Sequence, residues 1–525
     1  MTSGVALAPE VVTERAPVII VDDREWPQQR RLLLRVVGGV VMGMWLVGLL
    51  VFSSVLYNRN ILTADFATYN QAWTLIGQGH LNPHDTIFIS YPFLKSDFEL
   101  ILWPLALLHV VYPQPIVLLW VQDIAIAATG FVVYLWIIEY LERWRVSWTT
   151  SAGIASVVLL ALIANPAVYQ TVLYDFHLEP ISTLFVVLAG RDLWRGRHRR
   201  AWIWVGVTFV CGTFGAITII GLGISALLAG QSTRRQGAML VVAALAWLGF
   251  ISAIGANSGS GLDYYAYLAG RTTLPGSSGV LLVATGALTH PSRVIDMLHV
   301  RFHYIYTLIK PMGVIGLASA WGFGVPFVVL VTNALNSQYE FIFQAFQNAA
   351  VFPFILLGSV MVLVWFAQRF RYGWIPTLVV ALAVIAQAAI YGYNTSPGNI
   401  NWAIGRVGAA PAVQLNKALS LTPPSAEVIA TIGIMGRFAG RPYVYYYVPN
   451  SQIQVKTTQV IFVFDPAYET TIPQATPDDD DAAIAFVRDQ LRARVVLDAD
   501  GITVLSWHPP AGTNRIALPG ATPRP

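Results

Sequence analysis

The chain is poor in charge and nearly devoid of cysteine. Charged residues make up 11% of its 525 residues, too few to coat a soluble protein of this length. The single cysteine, Cys211, lies inside an apolar run, which excludes a disulfide framework and a thiolate metal site. The basic excess is only +4 and is divided among short loops, so nucleic acid is not an expected partner. What replaces charge is apolar surface. Hydrophobic residues reach 55%, and the mean hydropathy is +0.58. Several runs exceed the ~18 residues of a spanning helix. The first ~30 residues are polar and lead into a full-length apolar run, unlike the short core of a cleaved signal peptide. The fold class expected is a mainly α, polytopic protein of the cell membrane, with the lipid bilayer as its first partner.

Basic residues set the expected orientation. Arg30, Arg31 and Arg35 flank the first run, residues 32–57, and predict a cytoplasmic N-terminal tail over 1–31. Arg143 and Arg145, the loop "RDLWRGRHRR", Arg234 with Arg235, and Arg369 with Arg371 mark later loops on the same side. They share one side only if "FELILWPLALLHVVY", 98–112, does not cross and if 201–229 is two short helices meeting near "CGTFG". The reading is about eleven transmembrane helices over 32–392, with the C-terminus outside.

That layout gathers polar residues outside. The loop 58–98 carries Arg59, Asp65, His80, His84, Asp85, Lys95 and Asp97. "LYDFHLEP", 173–180, places Asp175, His177 and Glu179 within five positions at the same face. The loop 258–302 adds Asp263, Arg271, His290, Arg293 and Arg301, and "NSQYEFIFQ" at 336–344 also faces out. No internal repeat is visible and charges avoid span centres, which counts against a transporter. "GLGIS", after "AITII", lacks the strand context of a nucleotide loop and reads as helix packing.

The segment 393–510 has another pattern. "AEVIATIG", "PYVYYYV" and "QVIFVFD" read as strands, "DDAAIAFVRDQL" as a helix and "ARVVLDADGITVLSW" as a hairpin with an Asp-Gly turn. Together they predict a small α/β extracytoplasmic domain. The four aspartates of "PDDDD" lack the alternating spacing of a calcium loop and read as a solvated helix start. Residues 511–525 read as a disordered tail.

These segments carry a resemblance. "DFATYNQAWTLIGQG", "FELILWPLALLHVVYPQPIVLLWVQDIAIAATG", "YDFHLEP", "YEFIFQAFQNAAVFPFILLG" and "PPSAEVIATIGIMGRFAGRPYVYYYVP" resemble domain-of-unknown-function family 2079, over roughly 60 to 510. That family is grouped with the GT-C glycosyltransferases, which take a sugar from a polyprenyl-phosphate donor. The resemblance implies a GT-C-like membrane domain, a lipid-linked sugar as donor substrate, and a catalytic acid in the first outer loop, here Asp65. One departure stands out. Many members carry Lys-Glu-Asp where the paired short helices meet, and this chain has Gly212, Thr213 and Phe214.

Such a transfer needs a carboxylate to take the acceptor's proton and cations to stabilise the departing phosphate. Arg59, Lys95, Arg293 and Arg301 are the candidate phosphate holders, with Asn70 and Gln71 as further substrate contacts. His177 would donate to the same phosphate or hold a divalent metal with Asp175, although no metal ligand set is assigned. Each residue also has a plainer role. Asp65 would cap "FATYNQAWTLIG", Asp175 and His177 would form a solvated turn, Gln71 and Trp73 would pack at the interface, and the arginines would meet lipid head groups. The alternative function is a non-catalytic multi-pass protein, a transporter or an envelope assembly factor.

Overall fold

The computed structural model describes residues 26–60, 62, 64–87, 91–96, 98–173, 175–256, 263–274, 279–309, 313–337, 345–370, 372, 374–394, 409–466 and 476–520. Most of the expected outer segment 336–344 and the end of the tail, 521–525, lie outside the described residues.

The first half is helical: α1 (Gln28–Asn58), α2 (Ala64–Gly77), α3 (Phe93–Ser96), α4 (Leu102–Val111), α5 (Ile116–Arg143), α6 (Trp148–Ile163), α7 (Pro166–Leu173), α8 (Glu179–Trp194), α9 (His198–Phe209), α10 (Thr213–Leu228) and α11 (Gln231–Ala253). Six more follow: α12 (Gly279–Thr289), α13 (Pro291–Val300), α14 (Phe302–Ile309), α15 (Ala320–Leu335), α16 (Val351–Arg369) and α17 (Trp374–Asn394).

α1 shows why this part needs lipid. Leu34, Gly38, Met42, Trp45 and Leu49 are buried, and Gly38 lies flat against the Tyr134 ring of α5. On the opposite face Leu32, Val36, Val40, Met44, Val47 and Val51 are all exposed, a row at helical spacing that water would not tolerate. Four described helices are long and apolar enough to cross a bilayer: α1, α5, α11 and the one ending at Arg369. Fewer helices therefore reach spanning length than the roughly eleven expected from hydropathy. The difference comes from breaks. The apolar stretch after Arg145 is split into α6, ending at Ile163, and α7, starting at Pro166. α4 is about 15 Å long at ten residues, too short to cross, and α9 and α10 meet at Gly212.

Small residues bring the short helices together. Backbone of Gly324 and Val325 on α15 packs directly against Gly221 of α10, and Gly237 of α11 packs against Gly223. "GLGIS" is thus a packing stripe.

After a short antiparallel pair in the first loop, β1 (His84–Asp85) and β2 (Tyr91–Pro92), the C-terminal domain opens with α18 (Ala409–Leu421) and builds a five-stranded sheet of β3 (Glu427–Ala430), β4 (Val444–Tyr446), β6 (Val460–Phe464), β7 (Arg494–Ala499) and β8 (Ile502–Trp507). The order is β4-β3-β6-β8-β7, with β3 parallel to both neighbours and β8 antiparallel to both of its own. β3 and β6 are buried at every residue because both sheet faces are covered. One face, with Val428, Ala430, Ile461 and Val463, meets α18 and the junction of α1 and α2 at Leu56, Ala64 and Ala67. The other face, with Ile429, Phe462 and Phe464, is covered by Ala483 and Val487 around α19 (Pro477–Ala485).

Two expectations change here. The region 511–525 is not wholly a tail, because β9 (Arg515–Ala517) pairs with β5 (Gln452–Gln454) and Leu518 is fully buried. The aspartate run does start a helix, with Thr476 and Asp479 forming a capping box, but Asp480 is buried and accepts from the Thr431 hydroxyl.

Candidate functional site: an acidic pocket around His177

Asp65 is the second residue of α2, so its carboxylate sits in the first turn, where the helix dipole favours negative charge. Its Oδ2 lies 3.5 Å from Nε2 of His177, and the Asp65 side chain keeps 36% of its exposure while the imidazole keeps only 5%. On the other ring edge Nδ1 of His177 lies 3.9 Å from Oδ1 of Asp175, which is fully buried. The imidazole therefore stands between a carboxylate that reaches the surface and one that does not.

α5 holds this turn in place. Gln122 donates from Nε2 to the Asp175 carbonyl at 2.7 Å and accepts from the His177 N–H at 2.6 Å. Asp175 itself has φ of +81°, a left-handed conformation that costs energy in a non-glycine residue and persists only under such a clamp. Aromatic rings close the sides. Phe346 stacks on the imidazole at 3.6 Å between centroids, and Tyr69 meets it edge-on at 5.9 Å. Burial opposes protonation of His177, but the hydrogen bond to Asp65 and the charges of Glu179, Asp65 and Asp175 outweigh it. The pKa of His177 rises above its ordinary value.

Tyr69 extends the pocket by donating to Oε1 of Glu99 at 3.2 Å. Glu99 in turn lies against Gly212, where an added Cβ would come 3.0 Å from the Glu99 side chain. Gly212 has φ of +102°, so a glycine suits the junction of α9 and α10 on two counts. A Lys at this junction, as in the triplet described above, would fall beside the Glu99 carboxylate.

The structure thus brings Asp65, Asp175 and His177 together. It does not bring the other candidates to them. Asn70 is buried and donates to the Gly436 carbonyl of the C-terminal domain at 2.9 Å. Gln71 is buried too, donating to Thr86 and the Arg441 carbonyl and accepting from the Thr86 N–H at 2.9 Å. Both amides join the membrane part to the C-terminal domain, which corrects the expectation that they face a substrate. Arg293 donates to the carbonyl of Leu268 at 3.0 Å, and Arg301 is buried with a hydrogen bond to the Asn336 carbonyl. Each guanidinium thus spends an N–H group on a backbone carbonyl. Arg59 ends α1, half-buried, and Lys95 is exposed over the Tyr91 ring at 5.3 Å.

Gln122, Tyr69, Glu99 and Phe346 escaped the sequence reading. Gln122 and its neighbour Asp123 were legible as polar residues inside an apolar run, and Asp123 is fully buried, so an ionisable side chain does enter a span. Among the described residues no group of three or more His, Cys, Asp or Glu side chains is arranged to hold a metal.

A family model described as "Predicted membrane protein (DUF2079)" matches residues 57–504. No curated protein matches the chain. Among solved structures, ArnT from Cupriavidus metallidurans bound to undecaprenyl phosphate is 14% identical with a TM-score of 0.40, covering 94% of this chain and 99% of that one. The apo state of the same protein gives 14% and 0.40, over 90% and 97%. Both scores are too low to carry a structural argument.

Proposed function

The chain belongs to the DUF2079 family of predicted membrane proteins, and from that premise we propose that it is a membrane glycosyltransferase. In this reading it moves a sugar from a polyprenyl-phosphate donor on the outer leaflet to an envelope acceptor. The observation that carries the reading is the surface-reaching Asp65 carboxylate paired at 3.5 Å with a buried, protonatable His177. A merely solvated turn would leave the imidazole in water.

Asp65 acts as general base, taking the proton of the acceptor hydroxyl. The acceptor oxygen then bonds to the anomeric carbon as the bond from that carbon to the donor's phosphate oxygen breaks. The phosphate leaves with the electron pair. His177 orients Asp65 and, when protonated, is the cation nearest this event, while Arg59 and Lys95 remain candidate phosphate holders of the first outer loop. Asp175 and Gln122 are positioning residues that fix the imidazole.

The test is consumption of a radiolabelled polyprenyl-phosphate sugar by membranes containing the protein. Turnover by the native chain, absent from membranes lacking it, supports the transferase. An inert native protein across donor sugars would favour the assembly-factor alternative.

A further inference from the structure

A second polar cavity lies at the far end of α5. Gln122, at the site just described, and Arg143, at this cavity, are separated along one helix by about 30 Å. The cavity has a volume of about 490 Å³ and is lined by Arg31, Arg35, Arg143, Arg145 and Arg195, with Glu139 and Glu142 as the only acids among its lining residues. The two carboxylates are already committed. Glu142 pairs with Arg31 at 2.9 Å, and Glu139 is shared by Arg191 and Arg195. Arg35, Arg143 and Arg145 have no carboxylate within ion-pair distance among the described residues. Arg143 is nevertheless held in place, with its guanidinium over the Trp194 ring at 5.3 Å. α1 begins beside the same cavity, with Trp26 just before it among the lining residues and Pro27 as an N-cap without a side-chain acceptor.

Cations gathered without counter-charges repel one another, and an anion that bridges them relieves that repulsion. Planar guanidinium groups favour a bidentate oxyanion. We infer that this cavity binds a phosphate-bearing ligand, separate from the site at Asp65 and independent of the transferase reading. The phosphate would come either from an anionic phospholipid head group or from a soluble phosphate compound.

The full chain in nanodiscs tests this in two arms. In the first, discs of phosphatidylcholine with phosphatidylglycerol are analysed by native mass spectrometry for retained phosphatidylglycerol. In the second, discs of phosphatidylcholine alone are titrated with inorganic pyrophosphate. The native chain is expected to bind in one arm. The Arg143→Gln/Arg145→Gln variant, with an unchanged thermal midpoint confirming its fold, loses about tenfold for each guanidinium removed. Arg35→Gln weakens binding as well, and Arg234→Gln, at the start of α11 and outside the cavity, leaves it unchanged. Retention of phosphatidylglycerol identifies the lipid source, and pyrophosphate binding identifies the soluble one. Binding in neither arm, or equal binding by the double variant, overturns the inference.

Discussion

Nε2 of His177 and Oδ2 of Asp65 stand 3.5 Å apart although 112 positions of chain, with helices α3 to α7, separate them. Their meeting joins the first loop, α2 and the "YDFHLEP" turn into one pocket. The raised pKa of His177 makes the contact measurable through pH. The native state holds this proton above the ordinary histidine value of about 6.5, where the unfolded chain has released it. The stabilisation is therefore complete below about pH 6.5 and is lost as pH rises through the native value. Thermal midpoints of the native chain should fall over that range, and His177→Gln should flatten the curve. Parallel curves for the two proteins would show that the pair is not coupled.

Gln122 is the clamp, and its removal should be costly. Gln122→Leu leaves the Asp175 carbonyl and the His177 N–H without their partner in a buried turn. Each abandoned group costs about 1–3 kcal/mol, so a total of roughly 2–6 kcal/mol is expected in unfolding free energy. The strained φ of Asp175 should relax at the same time, and transfer activity should fall with the loss of imidazole orientation. A loss under about 0.5 kcal/mol would mean that α5 does not hold the turn.

Asn70 and Gln71 should report on domain docking and not on substrate affinity. Gln71→Ala strands Thr86 N–H and the Arg441 carbonyl, and Asn70→Ala strands the Gly436 carbonyl. The double variant should expose residues 409–520 to limited proteolysis while leaving the KM for the donor unchanged. A raised KM with unaltered proteolysis would return both residues to the substrate.

Much of this pocket was legible before folding, for identifiable reasons. Asp175 and His177 stood out because ionisable side chains interrupt an apolar stretch, and the Asp-Gly turn between β7 and β8 was visible from strand alternation around it. The partners of α2 were not legible, since Asn70 reaches a carbonyl 366 residues away and an amide in a helix carries no sign of so distant a contact. β5 and β9 escaped because three residues give no periodicity. The surroundings of the arginines were hidden for a different reason. Charge and expected side place a guanidinium near a pocket, but only the fold shows whether a backbone carbonyl has already claimed it.

The C-terminal domain carries its own pH signature. Burial pushes the Asp480 carboxyl up to about 7, with the charges of Asp465, Asp479 and Asp481 adding to burial and the Thr431 hydroxyl opposing it. The native domain thus keeps a proton that the unfolded chain releases near pH 4, and stability falls as pH rises from about 4 to 7. The shift corresponds to an upper bound of about 4 kcal/mol. Asp480→Asn should keep the Thr431 hydrogen bond, remove that slope and raise the thermal midpoint at pH 8. A midpoint lowered at pH 8 would contradict a protonated Asp480.

The most direct measurement compares Asp65→Asn with the native chain in membranes supplied with a labelled polyprenyl-phosphate sugar. Asparagine preserves size and hydrogen bonding at the second position of α2, so the protein should remain folded, with the thermal midpoint lowered only by loss of the Asp65 charge beside His177. Loss of the base should lower the rate of sugar transfer by about 10²–10⁴-fold. Asp65→Ala should be equally inactive and, like Asp65→Asn, lose a first-turn charge worth about 0.3–1 kcal/mol. An Asp65→Asn protein that transfers sugar at the native rate would contradict a catalytic role for Asp65 and leave it as a first-turn acid of α2.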